Sequence, residues 1–165
     1  MLHIHHCDFV KAQNPPKGSR DALGEMASDC ILMRTRLVSR VITNLYDEAL
    51  RPFGLNSPQF ALLLVISVRE PASRSEIGRF HHQERSTLTR NLKIMLTEGW
   101  IEEVPGNSGG RARPIRLSKA GRRLLQSVIT AWRGAQAEAQ KLLGADGACT
   151  IMDIASQIMK PQPTV

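Results

Sequence analysis

Aromatic residues are scarce, at 4% of the chain, too few to pave the base-stacking sheet that proteins use on single-stranded nucleic acid. Cysteine is nearly absent. Cys7, Cys30 and Cys149 lie far apart and form no CxxC pair, so a disulfide framework is excluded and a reducing cytoplasm is expected. No run of about 18 apolar residues occurs, so neither a transmembrane helix nor a membrane partner is expected. The start, Met1 to Asp8, lacks the basic-then-apolar order of a secretory signal. Nucleophile elbow, HExxH, phosphate loop and paired catalytic carboxylates are all missing. No enzyme activity, catalytic residue or cofactor is expected.

What is present is a chain of 165 residues, 42% apolar, with a net charge of +7. That length and composition suit one domain with a real core. The positive balance points to a polyanionic partner.

Residues 1–19 read as a loose arm, closed by the breaker cluster Asn14-Pro15-Pro16-Lys17-Gly18-Ser19. Residues 20–54 form a long helical segment with Met26, Cys30, Leu37, Val41 and Leu45 on one stripe. Such a helix outreaches what a small domain covers, so part of its apolar face meets another chain. After Pro52 and Gly54, Ser57-Pro58 reads as an N-cap with proline at the first helical position, opening the apolar run Phe60 to Val68. Ser73 and Glu76 make a capping box for a short helix from Arg74 to about His81. A further helix spans Glu84 to Glu98, with Gly99 as its left-handed C-cap. Trp100 to Pro105 and Arg111 to Leu117 then make a hairpin around Gly106-Asn107-Ser108-Gly109-Gly110. Ser118 caps a long helix ended by Gly144, and a short helix follows to about residue 160, leaving 161–165 as a tail. The fold class is therefore mainly α with a small β-hairpin wing. A winged helix-turn-helix at 55–117 is flanked by an N-terminal helix and by C-terminal helices at 118–160.

The helix from Glu84 to Glu98 carries the functional argument. At about 100° per residue, Leu88, Leu92, Met95 and Leu96 share one side. Ser86, Arg90, Lys93 and Thr97 share the other, with Thr87 at its edge, and that face holds no carboxylate. Short hydroxyls beside long cations suit the major groove of duplex DNA. The hydroxyls approach phosphates or bases, and Arg90 reaches guanine N7/O6 or a phosphate. The helix N-terminus can also aim backbone N–H groups at phosphates. From Arg69 to Arg123 there are twelve Lys/Arg against six Asp/Glu, so six of the seven net charges belong to this segment. In the hairpin, the alternation of Arg111 and Arg113 puts both on one strand face, able to enter a minor groove or clamp phosphates.

The stretches Leu55-Asn-Ser-Pro-Gln59-Phe60, Ser86-Thr87-Leu88-Thr89-Arg90-Asn91-Leu92, Glu98-Gly99-Trp100-Ile101 and Arg111-Ala-Arg113-Pro-Ile-Arg-Leu117-Ser118-Lys-Ala-Gly121 together resemble the MarR family of bacterial regulators. The similarity runs in order and spacing over residues 22–159. It implies a homodimer with interlocked N- and C-terminal dimerisation helices and two winged heads on a pseudo-palindromic double-stranded DNA operator. It also implies that Ser86, Thr87, Thr89 and Arg90 belong to the recognition helix, beside Lys93 from the face analysis, and Arg111 and Arg113 to the wing. The family's wing usually has an aspartate two residues before the first of these arginines. Gly109 stands there in this chain, which removes the usual anchor of Arg111. A pocket for an aromatic or phenolic effector between dimerisation helices and head is implied too, and with it a ligand-responsive repressor.

Other chemistry-bearing residues have weaker patterns. Cys30 matches the neighbourhood in which some members carry a reactive thiol, and is otherwise a small hydrophobe at a subunit interface. His3, His5, His6 and Cys7 are metal-ligating types in a loose arm, from which no metal site is expected. His81 and His82 sit at the turn between the two helices as packing or phosphate-neighbour residues, and Trp132 reads as core. Two other functions stay open on the sequence. One is an oxidant sensor of the same fold acting through Cys30; the other is a winged-helix protein-interaction module whose basic face meets an acidic partner.

Overall fold

A computed structural model describes residues 19–105 and 113–159. The arm with His3, His5, His6 and Cys7, the hairpin tip with Gly109 and Arg111, and the tail lie outside the described residues. The chain forms two compact units, one ending at Arg40 and one beginning at Val41.

In the first unit, α1 (Ser19–Asp29) is followed by the start of α2 (Ile31–Leu50). The sequence predicts one continuous helix here, and a break at Cys30 corrects it. Helix ends leave backbone carbonyls without partners. Here the Arg34 guanidinium donates to the Ser28 carbonyl, Nε at 3.1 Å and Nη2 at 2.6 Å, replacing a bond that the break removes. Leu23, Met26, Ile31, Leu32, Met33 and Leu37 are all exposed in this unit.

The second unit holds the core. A short 3-10 turn at Arg51–Phe53 ends on Gly54, whose φ of 73° needs no Cβ. Helix α3 (Ser57–Arg69) has its cap one residue earlier than expected. Asn56 is the N-cap, accepting from Gln59 N at 3.0 Å while its own N–H donates to Gln59 Oε1 at 3.1 Å. Ser57 is turned instead toward α2, its hydroxyl 2.5 Å from Asp47 Oδ1 and 3.1 Å from the Thr43 carbonyl. Helices α4 (Arg74–His81) and α5 (Arg85–Thr97) follow. Strands β1 (Ile101–Glu103) and β2 (Ile115–Leu117) pair antiparallel with Ile101 opposite Leu117. A single bridge from Ala72 to Ile115 adds a third edge to this sheet.

Ser118 caps α6 (Lys119–Ser127) as expected, accepting from Gly121 N at 3.0 Å. The helix does not run unbroken to Gly144. It stops at Val128, and α7 (Ile129–Met159) carries the chain onward, with the non-helical Gly144 (φ 70°) breaking it at the expected place. Leu50, Leu62, Leu63, Ile66, Ile77, Leu92, Met95, Ile115 and Val128 are fully buried, so α3, α5, the hairpin base and the α6–α7 junction share one core. Three helices followed by a hairpin, all closed on one core, make a winged helix-turn-helix. No described helix is long and apolar enough to cross a membrane.

Candidate nucleic-acid interface

Helix α4 is held at its start by the Ser73–Glu76 capping box. Ser73 N donates to Glu76 Oε2 at 2.8 Å and Glu76 N donates back to Ser73 Oγ at 3.2 Å. The Ser73 hydroxyl, which also donates to Oε2 at 2.7 Å, and after it the Ser73 N–H hold the Glu76 carboxyl below the usual carboxylate range. The helix crosses α5 closely at Gly78, where an added Cβ would stand 3.1 Å from Leu88 Cδ2. His82, with φ of 47°, turns the chain between them. Beside it, burial, with repulsion from His82 second, pushes His81 below its ordinary value. Arg69 lies over the Phe80 ring, 4.1 Å from its centre, a cation–π contact closing the α3 side.

The next cap departs from the sequence reading. Glu84, expected to be the first helical residue, is the N-cap of α5. Its Oε2 accepts from Ser86 N at 2.9 Å, from Thr87 N at 3.1 Å and from the Ser86 hydroxyl. Those bonds, the Ser86 hydroxyl first, hold the Glu84 carboxyl below its usual range, so it is ionised at neutral pH. Backbone N–H groups expected to await a phosphate are therefore occupied by a carboxylate.

The two sides of α5 separate as the helical spacing requires. Leu88, Leu92 and Met95 are buried and Leu96 is half-buried. Ser86, Thr89, Arg90, Lys93 and Thr97 are exposed, and Thr87 is half-buried at the edge. Thr89 turns its hydroxyl back to donate to the Arg85 carbonyl at 2.8 Å. Arg85 itself is exposed at the first helical position. Sequence reasoning passes over it because it precedes the apolar stripe; its place in the cation-rich Arg69–Arg123 run is the available signal.

The hairpin base is braced by ion pairs. Glu103 on β1 takes Arg74 at 2.7 Å and Arg113 at 3.8 Å, and Glu102 takes Arg116 at 2.7 Å. Arg113 keeps a side-chain exposure of 73% and stands just before β2 rather than on the strand face where alternation puts it. Glu70 ties α3 to the hairpin, accepting from Leu117 N at 2.6 Å and pairing with Arg122. Arg69, Arg74, Arg79, Arg85 and Arg113 line one broad groove of about 1310 Å³ across α4, α5 and the hairpin base, with Ile158 and Met159 at the end of α7 also on its wall.

The sequence pattern of the MarR family matches residues 53–112, from the turn before α3 to the hairpin tip. The M. tuberculosis transcriptional regulator MosR, solved in complex with DNA, is 35% identical. The alignment covers 78% of this chain and 96% of that one, with a TM-score of 0.67. A second MosR crystal structure is 37% identical over 79% of this chain and 93% of that one, again at TM-score 0.67. The chain belongs to the MarR family. Its fold is shared with an E. coli MarR mutant complexed with operator DNA, at 20% identity, 83% and 98% coverage and TM-score 0.72. The HTH-type transcriptional regulator YwoH of Bacillus subtilis is 28% identical over 90 residues, which is 54% of this chain and 65% of that protein.

A second cavity of about 440 Å³ lies between α3 and the α6–α7 junction, lined by Phe60, Leu64, Leu125, Val128, Ile129, Trp132 and Arg133 among others. Trp132, 36% exposed, borders this cavity rather than filling the core, which corrects its expected place. Cys30 is half-buried at the α1–α2 break and Cys149 is exposed. Among the described residues no group of three or more His, Cys, Asp or Glu is placed to hold a metal ion.

Proposed function

We propose that this member of the MarR family is a sequence-specific, double-stranded DNA-binding transcription regulator of the cytoplasm, acting as a homodimeric, ligand-responsive repressor. One observation carries the reading. Helix α5 buries Leu88, Leu92 and Met95 and leaves Ser86, Thr89, Arg90 and Lys93 exposed on an outer face. An α-helix with such a face fits a major groove. Thr87 sits at the edge of the contact, and the wing arginines, Arg113 and Arg111, reach the neighbouring backbone or minor groove. The DNA-bound relative at 35% identity supports the same partner.

A dimer follows from the apolar surface. Leu142, Ile151, Met152, Ile154, Ile158 and Met159 on α7 are exposed, as are the apolar residues of α1 and early α2. Large apolar side chains left exposed in number on a helix mark an interface. Residues 20–54 and 118–160 are thus the dimerisation helices, flanking a reading head at 55–117. Two heads of one dimer must present α5 about 34 Å apart to meet successive major grooves.

The 440 Å³ cavity suits an aromatic or phenolic anion, with Phe60, Leu64 and Trp132 against a ring and Arg133 beside the charge. It touches α3 of the head and the helices that lead to the interface. A ligand there shifts the spacing of the heads only by binding one spacing better than the other.

The test is a gel-shift titration on duplexes that the full chain selects from random sequence. Arg90→Ala is expected to weaken binding at least tenfold, from the roughly 1–3 kcal/mol of a base or phosphate contact made by each protomer. Undiminished affinity would reject α5 as the recognition helix.

A further inference from the structure

The hydroxyls on the outer face of α5 are already committed as donors, and that fixes what they can read. Ser86 faces the Glu84 carboxylate, which is ionised and can only accept, so the Ser86 O–H proton points at Glu84. Thr89 faces the Arg85 carbonyl, which also can only accept, so its proton is spent within the helix. Outward, each hydroxyl presents lone pairs alone. The Glu84 carboxylate beside them takes its donors from the cap and sets negative charge on an exposed side chain at this end of the helix.

A phosphate oxygen also only accepts, so it gains nothing from such groups and is repelled by the carboxylate. In the major groove the donors are the exocyclic amines, N4 of cytosine and N6 of adenine. Resting on the DNA-binding function proposed above, we infer that Ser86 and Thr89, backed by the Glu84 carboxylate, form an acceptor-only patch whose hydroxyl lone pairs read a cytosine or adenine amino group and which turns phosphate away. Arg85, Arg90 and Lys93, which only donate, are left for phosphates and for guanine O6/N7. The first turn of α5 thereby selects sequence, and the cations supply the salt-dependent part of affinity.

The experiment uses the full chain and the motif it selects from random duplexes. At each cytosine or adenine of that motif, the amine is deleted, by 2-pyrimidinone for cytosine and by unsubstituted purine for adenine. Loss of roughly tenfold or more in affinity is expected at one base of each half-site, from the 1–3 kcal/mol that a good base contact discriminates; which analogue acts tells cytosine from adenine. In a Ser86→Ala/Thr89→Val double variant, the same deletion is expected to cost less than threefold. Both substitutions leave the Glu84 cap in place. If the chain selects a motif but no amine deletion weakens binding, the inference is wrong while DNA reading stands. It is equally wrong if the double variant loses affinity uniformly and keeps the deletion's cost. If no motif is selected, both the DNA-binding reading and this inference fall.

Discussion

Among the described residues, Gly121 is the one glycine where the fold leaves no room for a single carbon. An ideal Cβ there would lie 2.0 Å from the Trp100 carbonyl oxygen and 3.0 Å from its carbon, whereas real Cβ contacts essentially never fall under 3.0 Å. Gly121→Ala must therefore drive α6 and the turn into β1 apart by at least about 1 Å, the difference between 3.0 and 2.0. The obstacle is backbone, so no rotamer change relieves it. That same oxygen accepts from Ser118 N at 3.0 Å, and the Ser118 hydroxyl donates to the Gly99 carbonyl at 2.6 Å. Overpacking costs about 1–3 kcal/mol, a stretched hydrogen bond about 1 kcal/mol more, and alanine's helix preference returns about 1 kcal/mol. The net expectation is a destabilisation of about 1–3 kcal/mol, a large share of the 5–15 kcal/mol typical of a domain. Gly134→Ala supplies the control. No heavy atom lies within 4 Å of its would-be Cβ, and it shares an exposed face with Thr130, Glu138 and Lys141. That change is expected to stabilise by about 0.5–1 kcal/mol. Urea midpoints at one fixed protein concentration measure both, since the stability of the proposed dimer would depend on concentration. If Gly121→Ala unfolds at or above the wild-type midpoint, the close approach of α6 to Trp100 is not real.

Asn56→Ala removes the α3 cap that the sequence assigns to Ser57, and should cost about 1 kcal/mol in the same urea assay; Ser57→Ala, by contrast, should leave the cap intact and act only through its ties to α2. The His81 environment sets a pH dependence. Because burial lowers its folded-state value, the unfolded chain binds more protons near its ordinary 6.5, so stability falls as pH drops through 6.5 and this loss levels off below the folded value. The window from pH 7.5 to 5.5 lies above the titration of Glu76 and Glu84, both held below 4.5. Within it, His81→Asn should flatten the slope of stability against pH, and an unchanged slope would assign that dependence elsewhere.

Local grammar is legible wherever one turn of chain decides the outcome. Ser73 and Glu76 stand three apart at the start of a short helix, and their reciprocal bonds form as that spacing requires; Gly99 and Gly144 break helices where they stand. At Asn56 and Ser57 two good caps compete, and the winner is set by Asp47 and Thr43, which lie ten and fourteen residues away in α2. Glu84 is a poor cap by preference, so nothing in its neighbourhood marks it, yet its longer side chain still reaches Ser86 and Thr87. The breaks at Cys30 and Val128 carry neither glycine nor proline. The Ala72–Ile115 bridge is one residue wide, below any strand pattern. Gly121 stands in a motif of the family, but its reason is a tertiary contact with Trp100 that no periodicity encodes.

The face of α5 shows why a list of contact residues is less than a mechanism. Hydrophobic period places Ser86, Arg90 and Lys93 outward, the family resemblance adds Thr89, and all four are exposed. Period says nothing about where a hydroxyl proton points. A serine two residues after a non-capping side chain would stay free to donate to phosphate; with Glu84 as the cap it cannot, and Thr89 is held in the same sense by a carbonyl one turn back. The polarity of the reading face is thus decided by the cap and the backbone beneath it. A substitution at Glu84 would change what Ser86 can offer a partner without touching Ser86, because removing the acceptor frees the hydroxyl proton to point outward.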